Sequence, residues 1–151
     1  MSRLSDGQGQ SPILEFLAFS LAGELYGVAL GKVREILSPP PITEVPRAPS
    51  SVLGVCSVRG LLVTVIDLRR RLGLEERPLT RRARILLAHT ESGEIVGLVV
   101  DDVRQVIRML ESELELAASI LGGEVSEHVV GIGRPSGMEV VLLDLSSVVP
   151  G

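Results

Sequence analysis

Short apolar runs, separated by glycine, proline and charged residues, make up most of the chain, and few of them have helical spacing. Runs of this kind, rich in valine, leucine and isoleucine, predict β-strands. The predicted strands are residues 13–20, 25–29, 33–37, 52–58, 61–66, 84–89, 95–101, 103–109, 129–132 and 140–143. Strands at such close intervals, joined by glycine turns, are typical of an all-β sandwich or barrel.

The stretch VLGVCSVRGLLVTVIDLRRRL, residues 52–72, predicts a hairpin that leads into a short helix. Arg59-Gly60 separates two apolar strands, and glycine supplies the positive φ that a tight reversal requires. The nearly continuous apolar run 61–66 predicts a strand that is buried on both faces. Asp67 is in position to cap one helical turn over residues 68–72.

Two motifs occur twice in the same order, which predicts a duplicated β-unit. GVALGKVREIL at 27–37 aligns with GLVVDDVRQVI at 97–107, and GLLVTVIDLRRRL at 60–72 aligns with GMEVVLLDLSSVV at 137–149. The offset between the copies grows by about seven residues, so an insertion is expected within 110–128. Gly54, Gly60, Gly131 and Gly137 match between the copies and are predicted to provide turns or close backbone approach, not ligand contacts.

The duplication predicts two small barrels in one domain of residues 13–151, with halves at about 13–80 and 81–149. Residues 1–12 are polar and predict a disordered tail. The proline-rich segment 38–51 predicts an extended loop. Residues 111–121 are expected to be irregular, with at most one helical turn.

Composition excludes several classes of protein. No apolar run is long enough to span a bilayer and the N-terminal residues do not resemble a signal peptide, so a cytoplasmic location is expected. Cys56 is the only cysteine and predicts a buried thiol, and two histidines without a cysteine pair give no support to a metal site. The net charge is −4, yet residues 69–84 contain seven arginines, which we interpret as a solvated linker and helix face instead of a nucleic-acid surface. Asp101-Asp102 is likewise expected to be a solvated turn.

Candidate catalytic residues do not form a recognisable site. Ser57 lies inside a predicted strand, not in the glycine-flanked turn that a serine nucleophile requires, although His89 and Asp101 are available as partners. Neither a phosphate-binding loop nor a dinucleotide fingerprint occurs. The pattern indicates a binding module, and a small β-barrel hydrolase is the remote alternative.

Five segments together resemble the chemotaxis coupling proteins, the CheW family. They are YGVALGKVREI (26–36), the proline-rich loop that ends at Pro49, GVCSVRGLLVTVIDLRRRLGL (54–74), IVGLVVDDVRQV (95–106) and VVGIGRPSGMEVVLLDL (129–145). The resemblance covers residues 13–149 and implies two five-stranded, SH3-like barrels with exchanged strands. It also implies an adaptor with neither enzymatic activity nor a cofactor. Ser57 and Thr64 depart from the family, which often has Asn and Pro at these positions.

The resemblance also implies two partners. It places the protein at receptor arrays on the inner membrane, without insertion of the protein into the membrane. The partners are the cytoplasmic hairpin tip of a chemoreceptor, held in a groove between the barrels, and the regulatory domain of a CheA-type histidine kinase. A regulator that binds only one of the two remains an alternative. The residues implied for receptor binding are Val33, Glu35, Ile36, Gly54, Arg59, Val99 and Val100. We further expect Glu35 and Arg59 to form an ion pair at the mouth of the groove.

Overall fold

A computed structural model describes residues 11–116 and 127–149, and almost all of its regular structure is β. The strands are β1 (Ile13–Leu21), β2 (Glu24–Ala29), β3 (Val33–Leu37), β4 (Val52–Val58), β5 (Leu61–Asp67), β6 (Arg84–His89), β7 (Ile95–Val100), β8 (Asp102–Leu110), β9 (Glu115–Leu116), β10 (Val129–Gly133) and β11 (Val140–Leu143). Two single-turn helices follow β5 and β11, α1 (Leu68–Arg71) and α2 (Leu145–Val148). Short 3-10 turns occur at Leu30–Lys32, Glu111–Glu113 and Pro135–Gly137.

The strands form two sheets with the same internal order. The six-stranded sheet runs β8-β1-β2-β11-β10-β9, and the five-stranded sheet runs β3-β6-β7-β5-β4. The six-stranded sheet takes β1 and β2 from the first half of the chain and its other strands from the second half. The five-stranded sheet takes β6 and β7 from the second half and its other strands from the first half. The junctions are the parallel pairs β2–β11 and β5–β7. The predicted all-β class is therefore confirmed, and the exchange of strands between the halves is the one that the resemblance implied.

The duplication extends to individual hydrogen bonds. Asp67 caps α1 by accepting from Arg69 N, and Asp144 caps α2 by accepting from Ser146 N. The backbone N–H of each aspartate donates over 2.8 Å to the carbonyl of the residue before the preceding hairpin, Ser51 in one half and His128 in the other. The two halves therefore fold by the same local rules.

Among the residues that the structure describes, three apolar clusters stabilise this arrangement. The central core lies between the sheets and takes residues from both, among them Phe19, Ile66 and Leu98. A second cluster contains residues of the five-stranded sheet and the adjoining loop, and a third contains residues of the six-stranded sheet and its connections. Because successive side chains of a strand point to opposite faces, strands that contact two clusters are apolar along most of their length.

The prediction that residues 61–66 are buried throughout is correct only for the C-terminal part of β5. Val63, Val65 and Ile66 are buried, whereas Leu61 is 63% exposed and Leu62 is 78% exposed. These two leucines lie at the hairpin end of the strand, beyond the residues that the central core covers. Two large apolar side chains are thus left at the surface.

The loops agree with the sequence analysis where the structure describes them, except at β9 (Glu115–Leu116), a strand within the segment that is expected to be irregular. In the proline-rich loop, Thr43 pairs with Val55 on β4, and β9 makes the matching contact with β10 in the second half. Residues 111–116 contain the 3-10 turn and β9. The rest of the predicted irregular segment and most of the predicted tail lie outside the described residues. Within those described, no helix has the length and apolar character needed to cross a membrane.

Candidate functional site

The β4–β5 hairpin ends in a two-residue turn that presents Arg59. Both central residues have positive φ, 52° at Arg59 and 83° at Gly60, which is the backbone of the tightest hairpin turns. Glycine adopts this conformation without the steric cost that a Cβ brings. Arg59 bears that cost, and its side chain projects from the tip of the hairpin with 69% of its surface exposed.

Glu35 on β3 receives this side chain. Arg59 Nη1 and Nη2 donate to Glu35 Oε1 and Oε2, each over 2.7 Å, in the bidentate geometry that gives guanidinium–carboxylate pairs their specificity. The hydrogen bonds from Arg59 lower the pKa of Glu35, so the carboxylate is ionised at neutral pH. Because β3 and β4 are the two outer strands of the five-stranded sheet, the pair joins one edge of that sheet to the other.

Apolar side chains surround the ion pair. Val58, Leu61, Leu87 and Ile95 line a shallow depression of about 70 Å³ beside Glu35. On the other face of the sheet, Ile36 is 43% exposed. It pairs with Leu86, a residue of the central core, so Ile36 lies on the side that faces the other sheet.

Leu62 lies on the same face of its own strand as Ile66, which also belongs to the central core. We call the end of the sheet that carries Glu35, Ile36, Arg59, Leu61 and Leu62 the hairpin rim: Leu61 lies beside the ion pair, and Ile36 and Leu62 lie on the face toward the other sheet. The rim combines one ordered ion pair with three exposed aliphatic side chains, a composition suited to binding an amphipathic partner.

The structure contradicts the placement of Val99 and Val100 in a receptor-facing groove. They are 3% and 0% exposed, because β7 lies in the interior of its sheet and its two faces contact different apolar clusters. Val33 is half-buried and packs against the central core. These side chains stabilise the fold, and of them only Val33 retains part of its surface for a partner.

Gly54 is placed by backbone contacts. A Cβ at this position would lie 2.0 Å from the Thr43 carbonyl oxygen, and φ is 150°. The matching Gly131 would bring a Cβ to 2.3 Å from the Glu115 oxygen. Gly137 has φ of 82°, close to that of Gly60. The four glycines thus meet the needs of close approach or of a turn, and Gly54 lies beneath the proline-rich loop.

Sequence reasoning missed an ion pair that connects the two halves. Arg69 on α1 donates from Nε and Nη2 to the two carboxylate oxygens of Asp101, over 2.9 and 2.5 Å, and from Nη1 to the Glu75 carbonyl. Asp101 also accepts a hydrogen bond from the Ala22 backbone. Burial alone would raise the pKa of Asp101, but the hydrogen bonds from Arg69 and Ala22 outweigh it and lower the pKa below its ordinary value.

Asp101 and the arginines of α1 are expected from the sequence to be solvated, and this expectation is wrong for Asp101 and Arg69. Arg71 is also committed to the fold, since it donates to the carbonyls of Ser147 and Val148 on α2. A signal existed in the repeat: the residues that align with Arg69 and Asp101 are Ser146 and Gly31, so both partners of the pair are missing together from the other copy.

Cysteine, histidine and serine side chains do not form a catalytic arrangement in the part of the chain that the structure describes. Cys56 is buried, and burial raises the pKa of its thiol. His128 Nδ1 lies 3.1 Å from Ser147 Oγ, a contact that brings a histidine and a serine together. Ser147 Oγ donates to the Asp144 carbonyl, so its proton is not directed at the histidine as an activated nucleophile requires. This arrangement does not favour a hydrolase.

Comparison with known proteins matches this architecture to one family. The family model of the CheW-like domain matches residues 15–150. The chain belongs to the CheW-like domain family. Curated relatives include the chemotaxis protein CheW of Rhizobium meliloti (strain 1021), 31% identical over 90% of this chain and 87% of that protein. The protein FrzA of Myxococcus xanthus is 31% identical over 91% of this chain and 86% of its own length.

A solved structure agrees with the CheW-like assignment. The crystal structure of the scaffolding protein TtCheW from Thermoanaerobacter tengcongensis superposes with a TM-score of 0.82 at 29% identity. The match covers 91% of this chain and 92% of that one. The SH3-like fold and the family inferred from the sequence motifs are thereby confirmed.

Proposed function

We propose that this CheW-like chain is a non-enzymatic chemotaxis adaptor that joins the cytoplasmic hairpin tip of a chemoreceptor to the regulatory domain of a CheA-type histidine kinase. The family match, a relative named as a chemotaxis protein and a structural neighbour named as a scaffolding protein support this role. In this proposal the adaptor works in the cytoplasm at receptor arrays and acts by positioning its partners.

The observation that carries the receptor part of the proposal is the ordered ion pair in the hairpin rim. A helix that docks in a groove needs apolar contacts for affinity and polar contacts for register. Ile36, Leu61 and Leu62 offer the apolar contacts. The Glu35–Arg59 pair offers the polar one, and its two bonds hold both side chains in place before a partner arrives, which lowers the entropic cost of binding.

Substitution of Arg59 tests the proposal, with binding measured separately to a soluble receptor hairpin and to the kinase regulatory domain. Arg59→Ala is expected to weaken receptor binding roughly 10- to 100-fold, as loss of hydrogen bonds to a charged group does. The melting temperature should move by no more than about 2 °C, because the change is at the surface. Ser136→Ala, at the matching position of the second half, is the control and should alter neither quantity.

Separate measurements also test the alternative of a single-partner regulator. A wild-type chain that binds only the receptor or only the kinase would contradict the adaptor role. Unchanged receptor affinity in both Arg59→Ala and Ile36→Asp would remove the hairpin rim from the receptor site. Ile36→Asp is a better probe than a change at Val33, because Val33 packs against the central core and its loss would also reduce stability.

A further inference from the structure

The structure divides the seven arginines of residues 69–84 into two groups. Arg69 and Arg71 are bound within the fold, as described above, and Arg70 contacts the Ser50 carbonyl and two carboxylates. Arg77 pairs with Glu75, and Arg84 donates to the carbonyls of Arg81 and Ala83. Arg81 and Arg82 remain at the surface of the linker between the halves. The Arg81 guanidinium has no hydrogen bond or ion pair with any described residue, and the adaptor role does not use either side chain.

Arg82 and Arg104, an arginine of β8, approach the same carboxylate, that of Asp102. Arg82 Nη1 lies 3.8 Å from Asp102 Oδ2, and Arg104 Nε lies 3.9 Å from the same oxygen. Two guanidinium groups thus share one carboxylate. They keep 81% and 56% of their side-chain surface exposed, whereas Asp102 is 28% exposed. The surface formed by Arg81, Arg82 and Arg104, which we call the basic patch, is therefore positively charged in a chain whose net charge is −4.

Local structure fixes both sides of the basic patch. Arg104 is the extra residue of a β-bulge, since β8 shifts register against β1 between the pairs Ala18–Gln105 and Phe19–Val103. A bulge of this kind redirects the side chain of the inserted residue. On the linker, Thr80 Oγ1 accepts from Arg82 N and the Thr80 carbonyl accepts from Ala83 N. The backbone that carries the arginines is thus already ordered, which reduces the entropy lost on binding.

We propose that the basic patch is a docking surface for an acidic segment of a partner protein, a site separate from the hairpin rim. Guanidinium groups bind carboxylates in paired hydrogen bonds, and two of them on either side of Asp102 match two carboxylates one helical turn apart. An anionic membrane fits less well, because the patch offers only Arg81, Arg82 and Arg104, whereas segments that bind anionic lipids usually present about four or more basic residues.

A titration of the full-length protein, followed by NMR, tests the proposal. The probe is an alanine-rich helical peptide with glutamates four residues apart, and the same peptide with glutamines is its control. The glutamate peptide should shift the amide and guanidinium signals of Arg82 and Arg104, and its affinity should fall as salt screens the charges. The double variant Arg82→Gln/Arg104→Gln should bind it about five-fold more weakly or worse. Arg77→Gln, an exposed linker arginine that pairs with Glu75, should change affinity less than about two-fold.

A second variant predicts a gain of binding. Asp102→Asn removes the carboxylate that the two arginines share and should strengthen peptide binding several-fold. Equal binding by the wild type and the double arginine variant would overturn the proposal, and so would weaker binding by Asp102→Asn. Binding to phosphatidylglycerol vesicles in the absence of any response to the glutamate peptide would also overturn it, in favour of a membrane surface.

Discussion

The two hairpins of the repeat end in the same turn backbone and place different side chains at the tip. Arg59 and Ser136 occupy matching positions with φ of 52° and 53°, and the glycines that follow them have φ of 83° and 82°. Glu35 of the first half is matched by Gln105 in the second. The second half thus makes its turn without the ion pair, so the turn backbone does not require the pair, and Glu35 and Arg59 remain available for binding.

Two residues from the turn on each side, the first hairpin carries an exposed leucine and the second carries an ion pair. In the first half, Ser57 pairs across the strands with Leu62, which is 78% exposed. At the matching positions of the second half, Arg134 donates to Glu139 over 3.3 Å. A partner can bury an exposed leucine without the desolvation cost of an ion pair. Leu62 therefore adds an apolar anchor beside the polar contact of Glu35 and Arg59, and the second hairpin has no such leucine at the matching position. The comparison therefore supports the proposal that the apolar docking surface lies on the first hairpin, since the matching positions of the second hairpin are polar.

The largest expected effect is on stability, and it tests whether the two halves depend on the same backbone contacts. Gly54→Ala and Gly131→Ala should each reduce the free energy of unfolding by about 3–5 kcal/mol, because the new Cβ would collide with a carbonyl oxygen. Gly60→Ala and Gly137→Ala should cost only about 1–2 kcal/mol, since nothing lies within 4 Å of the new Cβ and the left-handed φ is the sole penalty. Urea denaturation measures all four.

These four variants form two matched pairs, so the contrast does not depend on any single value. Equal losses at Gly54 and Gly60 would show that close approach to the proline-rich loop matters no more than the turn. A large loss of stability in Gly54→Ala with none in Gly131→Ala would show that β9 can move away from the new Cβ whereas the backbone at Thr43 cannot. The two halves would then differ in rigidity.

The next effect concerns a contact that has no counterpart in the repeat. Asp101→Asn is expected to reduce stability by about 1–2 kcal/mol, the lower part of the range for hydrogen bonds to charged groups, because Asp101 is partly exposed. Asp102→Asn is the neighbouring control and should change stability by less than about 0.5 kcal/mol. The measurement is the difference in unfolding free energy at neutral pH.

The pH dependence of this difference follows from the pKa of Asp101. Since the folded state lowers that pKa, ionised Asp101 stabilises the protein above its ordinary pKa, and the contribution is lost as pH falls through the lowered value. The gap between wild type and Asp101→Asn should therefore be widest near neutral pH and narrow in acid. A gap that stays constant down to pH values below the folded pKa would mean that the ionised carboxylate is not what stabilises the junction of the halves.

Periodicity and repeat alignment predicted most of the fold but only part of the site. Strand positions follow from runs of valine and isoleucine, and β3, β4, β6 and β11 have the predicted bounds. The burial of Val99 and Val100 could not be read from their apolar character, because the same residue types serve cores and docking surfaces. The Arg69–Asp101 contact depends on how strands from different halves pair, which only the assembled sheets determine.

The smallest expected effect comes from copying the ion pair into the second half. Gln105→Glu with Ser136→Arg places the same side chains on a matching backbone. The pKa of the new carboxylate should be lower in the double variant than in Gln105→Glu alone, which an NMR titration measures. The melting temperature should move by no more than about 2 °C, as for other surface pairs.

The decisive measurement for this variant is receptor binding after Arg59→Ala has removed the original pair. We expect no rescue, because the position that matches Leu62 is Glu139 and its carboxylate already pairs with Arg134. Adding Glu139→Leu to the copied pair should then give partial rescue if the ion pair and the exposed leucine act together. Full rescue by the copied pair alone would show that the charged residues are sufficient and that the apolar part of the hairpin rim is dispensable.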